Sequence, residues 1–127
     1  MFEALKNDAV GIAILREWLG AAGVPVPIED ATRRSRVCLQ CPENQVPRWW
    51  ESAKGKVARA IRRHLEIKNR IEMRVEEEEQ LGICLVCRCC LPLKIHVPIR
   101  HVEAHTDPDA WDKFPSFCWI RHEANKA

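Results

Sequence analysis

Apolar residues along the first third of the chain recur at helical spacing. Val10, Ile14, Leu15, Trp18 and Leu19 mark one face of a helix that Asn7 or Asp8 can cap. Gly20 and Gly23 offer places for it to stop, and Val24-Pro25-Val26-Pro27 forces extended backbone. A short helix over Ile28 to Arg36 then leads into Cys38-Leu39-Gln40-Cys41. The longest helical pattern runs from Arg48 to about Glu79, with Val57, Ile61, Leu65, Ile71 and Val75 as its apolar stripe and a phase slip between Leu65 and Ile71. Beyond the next cysteines the period changes to two. Leu91, Leu93, Ile95, Val97 and Ile99 alternate with Pro92, Lys94, His96, Pro98 and Arg100, which predicts a strand with one buried face and, given its two prolines, an edge strand or a bent hairpin. A turn at Asp107 to Trp111 precedes Pro115-Ser116-Phe117-Cys118-Trp119, where a cysteine sits between two aromatics.

These elements predict an α+β chain: a small helical domain with a long helical arm inserted between two Cys-x-x-Cys knuckles, and a short β element. A chain of 127 residues has room for one core. We read 1–127 as a single domain, with an N-terminal helical part (1–36), a metal-centred part (37–42, 84–99 and 115–119) and an inserted basic helix (47–80). With 46% hydrophobic and 30% charged residues the composition is that of a folded chain, and the net charge of +2 by itself names no partner. The start, Met1 to Asp8, carries acids where a secretory signal has a basic end, and the longest apolar stretch, Ala9 to Leu15, is far short of the roughly 20 residues of a membrane span. The expected setting is a reducing bacterial cytoplasm.

Seven cysteines change the picture. An odd number in a chain without an export signal argues against a disulfide framework, and cysteines serving only as small core residues would be scattered. Here Cys38 and Cys41 form one pair, Cys84, Cys87, Cys89 and Cys90 a cluster, and Cys118 stands alone. Two residues between cysteines let one tight turn place both sulfurs on a tetrahedral ion at about 2.3 Å. Cys38, Cys41, Cys84 and Cys87 can therefore close a four-thiolate structural site. Cys84-x-x-Cys87-x-Cys89 is also a compact triad, with Cys118 as a distant fourth ligand. All six, Cys38, Cys41, Cys84, Cys87, Cys89 and Cys118, suit two metals sharing sulfurs. Zinc, as one or two ions, is the expected metal, and an iron–sulfur cluster is the alternative. Cys90 points away from Cys89 along a strand and reads as a buried thiol.

Catalysis has little support. A redox Cys-x-x-Cys wants a β/α setting that is missing, and His101-Val102-Glu103 matches H-x-E of zinc deaminases only in the wrong order relative to the cysteines. His101 and His105 would share a helix face, but the region reads as strand and loop; solvated or hydrogen-bonded histidines are the expectation there.

The series Cys38-x-x-Cys41-Pro42, Cys84-x-x-Cys87-x-Cys89, Leu91, Leu93-Lys94, Pro115 and Cys118-Trp119 resembles small cysteine-rich zinc-binding proteins of tailed phages and prophages. The likeness covers residues 37–43, 84–97 and 115–119 and implies metal binding and a phage or prophage setting. It implies no particular activity. Arg88 stands where that pattern has Gly, and Cys90 is additional.

The long helix reads slightly more as a solvated face, its tryptophans anchoring it to the metal core, than as a surface for a partner. From Arg48 to Arg74 nine Lys/Arg face only Glu51, Glu66 and Glu72, a local charge of +6. Pairs at helical spacing, Arg62 with Glu66, Lys68 with Glu72 and Arg74 with Glu78, offset part of it. Trp49 and Trp50 suit a protein docking spot, and with Lys56, Arg59, Arg62 and Arg63 they form the candidate partner surface. The leading reading is a zinc-stabilised, non-enzymatic adaptor that binds another protein, with no small-molecule substrate and no membrane. A zinc-stabilised nucleic-acid binder using helix 48–74 is the alternative. Arg33, Arg34 and Arg36 read as a solvated face or a phosphate contact.

Overall fold

A computed structural model describes residues 13–45, 53–106 and 108–124. The chain is mostly helical with one small antiparallel sheet, consistent with α+β. The expected caps Asn7 and Asp8, the stripe residue Val10, and Trp49 and Trp50 lie outside the described residues.

Residues 13–20 form α1, which buries Ile14 and Trp18 and leaves Leu15 and Leu19 half-buried, as its spacing predicts. The helix closes through a left-handed turn at Ala22 and Gly23 (φ 81° and 62°), in which the Gly23 amide donates to the Trp18 carbonyl at 2.9 Å. Gly23 also lies against Leu65: a Cβ there would stand 2.9 Å from a Leu65 methyl.

Helix α2 (Ile28–Leu39) follows Pro27, with Glu29 and Asp30 in its first turn and Arg36 in its last, the order the helix dipole favours. It buries Ala31, Arg34, Ser35 and Cys38, one face at three- and four-residue spacing. The chain then turns, and β1 (Asn44–Gln45) pairs antiparallel with β2 (Ile83–Cys84), with Asn44 opposite Cys84.

Helix α3 (Ala53–Asn69) occupies the space between the strands in sequence. It ends ten residues before the expected Glu79, because Arg70 enters the left-handed region (φ 55°) and the Ile71 amide returns to the Glu66 carbonyl at 3.2 Å. The Glu66 carboxylate then accepts from the Met73 amide at 2.8 Å. The expected stripe splits accordingly. Leu65 is buried in the helix and Val75 beyond it, whereas Val57 and Ile71 are exposed. The helix packs on the body through Ala58 and Leu65, so the inserted segment is no free arm. Arg62 pairs with Glu78, in a one-turn 3-10 helix (Glu78–Gln80), instead of Glu66, and Lys68 donates to the Ala22 carbonyl instead of meeting Glu72. Arg74 and Glu78 do pair, at 3.9 Å.

The strand expected over 91–99 is replaced by α4 (Leu91–Lys94) and α5 (Ile99–His105). Alternation misled because both parities are buried: Pro92, Lys94 and His96 are inside together with Leu91, Leu93, Ile95 and Val97. Proline, moreover, fits a helix start, where no intrahelical donor is needed. Pro92 falls in the first turn of α4, and Pro98 immediately precedes α5. After a second 3-10 turn (Pro108–Ala110), α6 (Trp119–Glu123) begins directly behind Cys118.

Arg34 is the pivot of this arrangement rather than a solvated or phosphate-facing side chain. It is 2% exposed, its Nη1 donates to the Ile95 and Val97 carbonyls at 3.0 and 2.7 Å, and its Nε donates to Glu123 at 2.9 Å. Its guanidinium lies 4.3 Å from the centre of the Trp119 ring. One side chain thus joins α2, the end of α4 and α6 around the cysteines.

Candidate metal centre

Three chain segments carry thiols to one place. Cys38 lies four residues after Arg34 on the buried face of α2, so the anchoring of that arginine also positions the sulfur. The Cys41 amide donates to the Cys38 carbonyl at 3.0 Å and the Asn44 amide to the Cys41 carbonyl at 3.2 Å, which folds the first Cys-x-x-Cys into β1. Pairing of Asn44 with Cys84 then sets the second knuckle beside the first. The Asn44 side chain adds two bonds across the junction, donating to the Gln80 carbonyl at 2.9 Å and accepting from the Gly82 amide at 2.8 Å.

The second knuckle folds back on itself. The Cys84 amide donates to the Cys89 carbonyl at 3.1 Å and the Arg88 amide to the Cys84 carbonyl at 2.7 Å. Arg88 adopts φ 59°, so the turn forms with a left-handed arginine where a glycine would be unstrained. Cys118 arrives from the third segment, its amide on the Pro115 carbonyl at 2.9 Å.

Cys38, Cys41, Cys84 and Cys118 line a cavity of about 20 Å³, together with Phe114 and Trp119. The Trp119 indole N–H donates to Cys38 Sγ at 3.2 Å. Cys87 and Cys89, the other two candidate ligands, are buried beside Cys84 but do not line that cavity. Cys90 is half-buried at the start of α4. All seven cysteines are free thiols. Among the described residues no group of three or more Cys, His, Asp or Glu side chains is already set at ligand geometry. The thiols are gathered in one region without sharing a common ligand geometry.

Lys94 is the feature that the pattern of the sequence concealed. The alternation places it on an exposed face, yet it is 2% exposed and its Nζ donates to Cys87 Sγ at 2.7 Å. Its ammonium also stands 5.9 Å from the centre of the Phe114 ring. Burial alone would lower its pKa, but the charges of Cys87, Cys89 and Cys84 outweigh burial and raise it. Cys87 is held well below the usual thiol range: burial opposes the shift, and hydrogen bonds from Cys84 and Cys89 together with Lys94 overcome it. Cys84 and Cys89 move up in turn, through their hydrogen bonds to Cys87 and then through burial. Burial pushes Cys38 up to about 12 and Cys90 to about 12, and raises Cys118 as well. The cluster thus favours one thiolate next to one ammonium, with neutral thiols around them. A lysine inside an aliphatic run directly after a cysteine cluster was the available signal.

His101 and His105 are held by a carboxylate of α1. His101 and His105 do share a helix face, because α5 replaces the expected strand and loop. Both meet Glu17 of α1, His101 Nδ1 at 2.7 Å and His105 Nε2 at 3.1 Å. These contacts, the His101 hydrogen bond first, lower the Glu17 pKa. Of the candidate partner residues, Lys56, Arg59 and Arg63 are exposed on α3, and Arg62 is turned inward to Glu78. Among the described residues no helix is long and apolar enough to cross a membrane. Comparison with known protein families, curated proteins and solved structures gives no match.

Proposed function

We propose that the thiol cluster holds a structural metal ion, zinc, and that the protein works as a non-enzymatic adaptor that binds another protein. The observation that carries the metal reading is Lys94. A buried ammonium needs a compensating anion, and here the hydrogen-bonded neighbour is a cysteine sulfur within a thiol cluster. Zinc bound by four thiolates carries a net charge of −2 and adds to the Cys87 thiolate in compensating that ammonium. Cys38, Cys41, Cys84 and Cys118 are the proposed ligands, since they line one cavity. Cys87, with Cys89 beside it, receives Lys94 at the edge of the site. The small cavity favours a single ion over a cluster, and a four-thiolate ion has no open position for a substrate, which supports binding over catalysis. The phage or prophage setting implied by the resemblance fits an accessory role of this kind.

Elemental analysis with native mass spectrometry tests the proposal. One zinc per chain, lost in a Cys38→Ser/Cys118→Ser variant, is the expected result. Iron with visible absorption would replace zinc by an iron–sulfur cluster. A chain that is free of metal and folds cooperatively in chelator would end the metal reading altogether.

A further inference from the structure

Helix α3 presents an outer face with two ridges. Val57, Ala60 and Ile67 are exposed along one, with exposed His64 between them, and Val57 and Ile67 are 59% and 69% accessible although both are large and aliphatic. Ile71, just past the helix end, is 44% accessible. The adjoining ridge carries Lys56, Arg59 and Arg63, all exposed, and Arg70 follows at the exit. Among the described residues no ion pair is formed by Lys56 or Arg63. The one acid within Ala53–Asn69 is Glu66, and its carboxylate is turned to the Met73 amide. Among the described residues of the helix, the outer face is therefore apolar along one edge and basic along the other, and its one acid is engaged elsewhere.

We infer that this face docks an acidic amphipathic helix of a partner protein, with aliphatic side chains on the Val57–Ile67 ridge and carboxylates on Lys56 and Arg63. The inference rests on the reading of the chain as a protein-binding module and makes no use of the metal. Charge and shape separate this occupant from the others. A DNA duplex would use the basic ridge but leave the aliphatic ridge against phosphate and water, where it gains nothing. A lipid surface asks for an apolar face about 100° wide or more, and one ridge is narrower than that. A second copy of the chain would bring basic ridge against basic ridge, because the one acid of the helix is engaged elsewhere. A helix with acids beside aliphatics satisfies both ridges at once.

The test uses the full chain and a fluorescent synthetic helix with Glu along one edge and Leu along the next, compared with a scrambled peptide of equal composition, a DNA duplex, and phosphatidylserine vesicles. Binding of the patterned peptide, at least about tenfold tighter than the scrambled one, is expected. Val57→Asp/Ile67→Asp and Lys56→Glu/Arg63→Glu should each weaken it at least about tenfold, with metal content and melting unchanged because these residues are exposed. A peptide with Lys in place of Glu should regain affinity for Lys56→Glu/Arg63→Glu alone. Equal affinity for the patterned and scrambled peptides, tighter binding to DNA or vesicles, or a concentration-dependent dimer that masks the face would overturn the inference. Loss of metal with peptide binding intact would instead count against the proposed centre and leave the docking face standing.

Discussion

Two cations are buried to the same depth in this molecule, and their surroundings differ. Arg34 and Lys94 are both 2% exposed. Arg34 has two backbone carbonyls, the Glu123 carboxylate and the face of Trp119, so its charge and donors are matched within the chain. Lys94 has Cys87 Sγ and an aromatic ring at longer range. A guanidinium with its own carboxylate reads as a tertiary clamp. An ammonium whose negative charge must come from thiols reads as the border of a site that something else completes.

The largest test of that contrast removes the proposed ion. Chelator, or Cys84→Ser, should cost on the order of 10 kcal/mol at the thiol centre and unfold the chain, followed by far-UV circular dichroism and thermal melting. The arginine side of the comparison is next. Glu123→Ala leaves the guanidinium buried without its carboxylate and should cost about 3 kcal/mol whether or not metal is present, read from denaturant midpoints. Lys94→Met leaves the Cys87 sulfur without its ammonium and should destabilise by about 2 kcal/mol, read from denaturant midpoints.

Acid should act through His96, which is held neutral by burial and then by the fields of Arg62 and Arg34, with its pKa lowered to about 3. Between that value and the ordinary 6.5 the unfolded chain binds the proton and the folded chain does not, so stability falls as the pH drops through this window. From pH 7 to pH 5 this group alone contributes a loss of about 2 kcal/mol, and His96→Leu should flatten that part of the curve. The smallest effect belongs to Arg88→Gly, which relieves a left-handed side chain and should stabilise by about 1 kcal/mol without altering metal content.

Local chemistry made part of this structure legible. The apolar spacing of Ile14 and Trp18, the Pro27 boundary before α2 and the grouping of the cysteines were readable from residue order, because each depends on neighbours within a turn or two. The segment from Leu91 to Ile99 was not. A period of two reports a strand only if the intervening residues face solvent, and tertiary packing buries Lys94 and His96 as well. Likewise nothing next to Arg34 in sequence announces Glu123, or Trp119 beneath it, since the partner lies 89 residues away. The candidate ligands were all named from the sequence. Their division into four around a cavity and two beside a lysine required the fold.

Asn44 has a consequence for the order of events. Its side-chain amide bridges the stretch just before β2, and its backbone pairs with Cys84, so the first two thiol-bearing segments are clasped by amide chemistry alone. On the proposed metal reading, an incoming ion meets two thiol segments already joined, with Cys118 lining the same cavity. If the proposed ion binds there, the search for its ligands is short, and its rate should depend on an asparagine outside the ligand set.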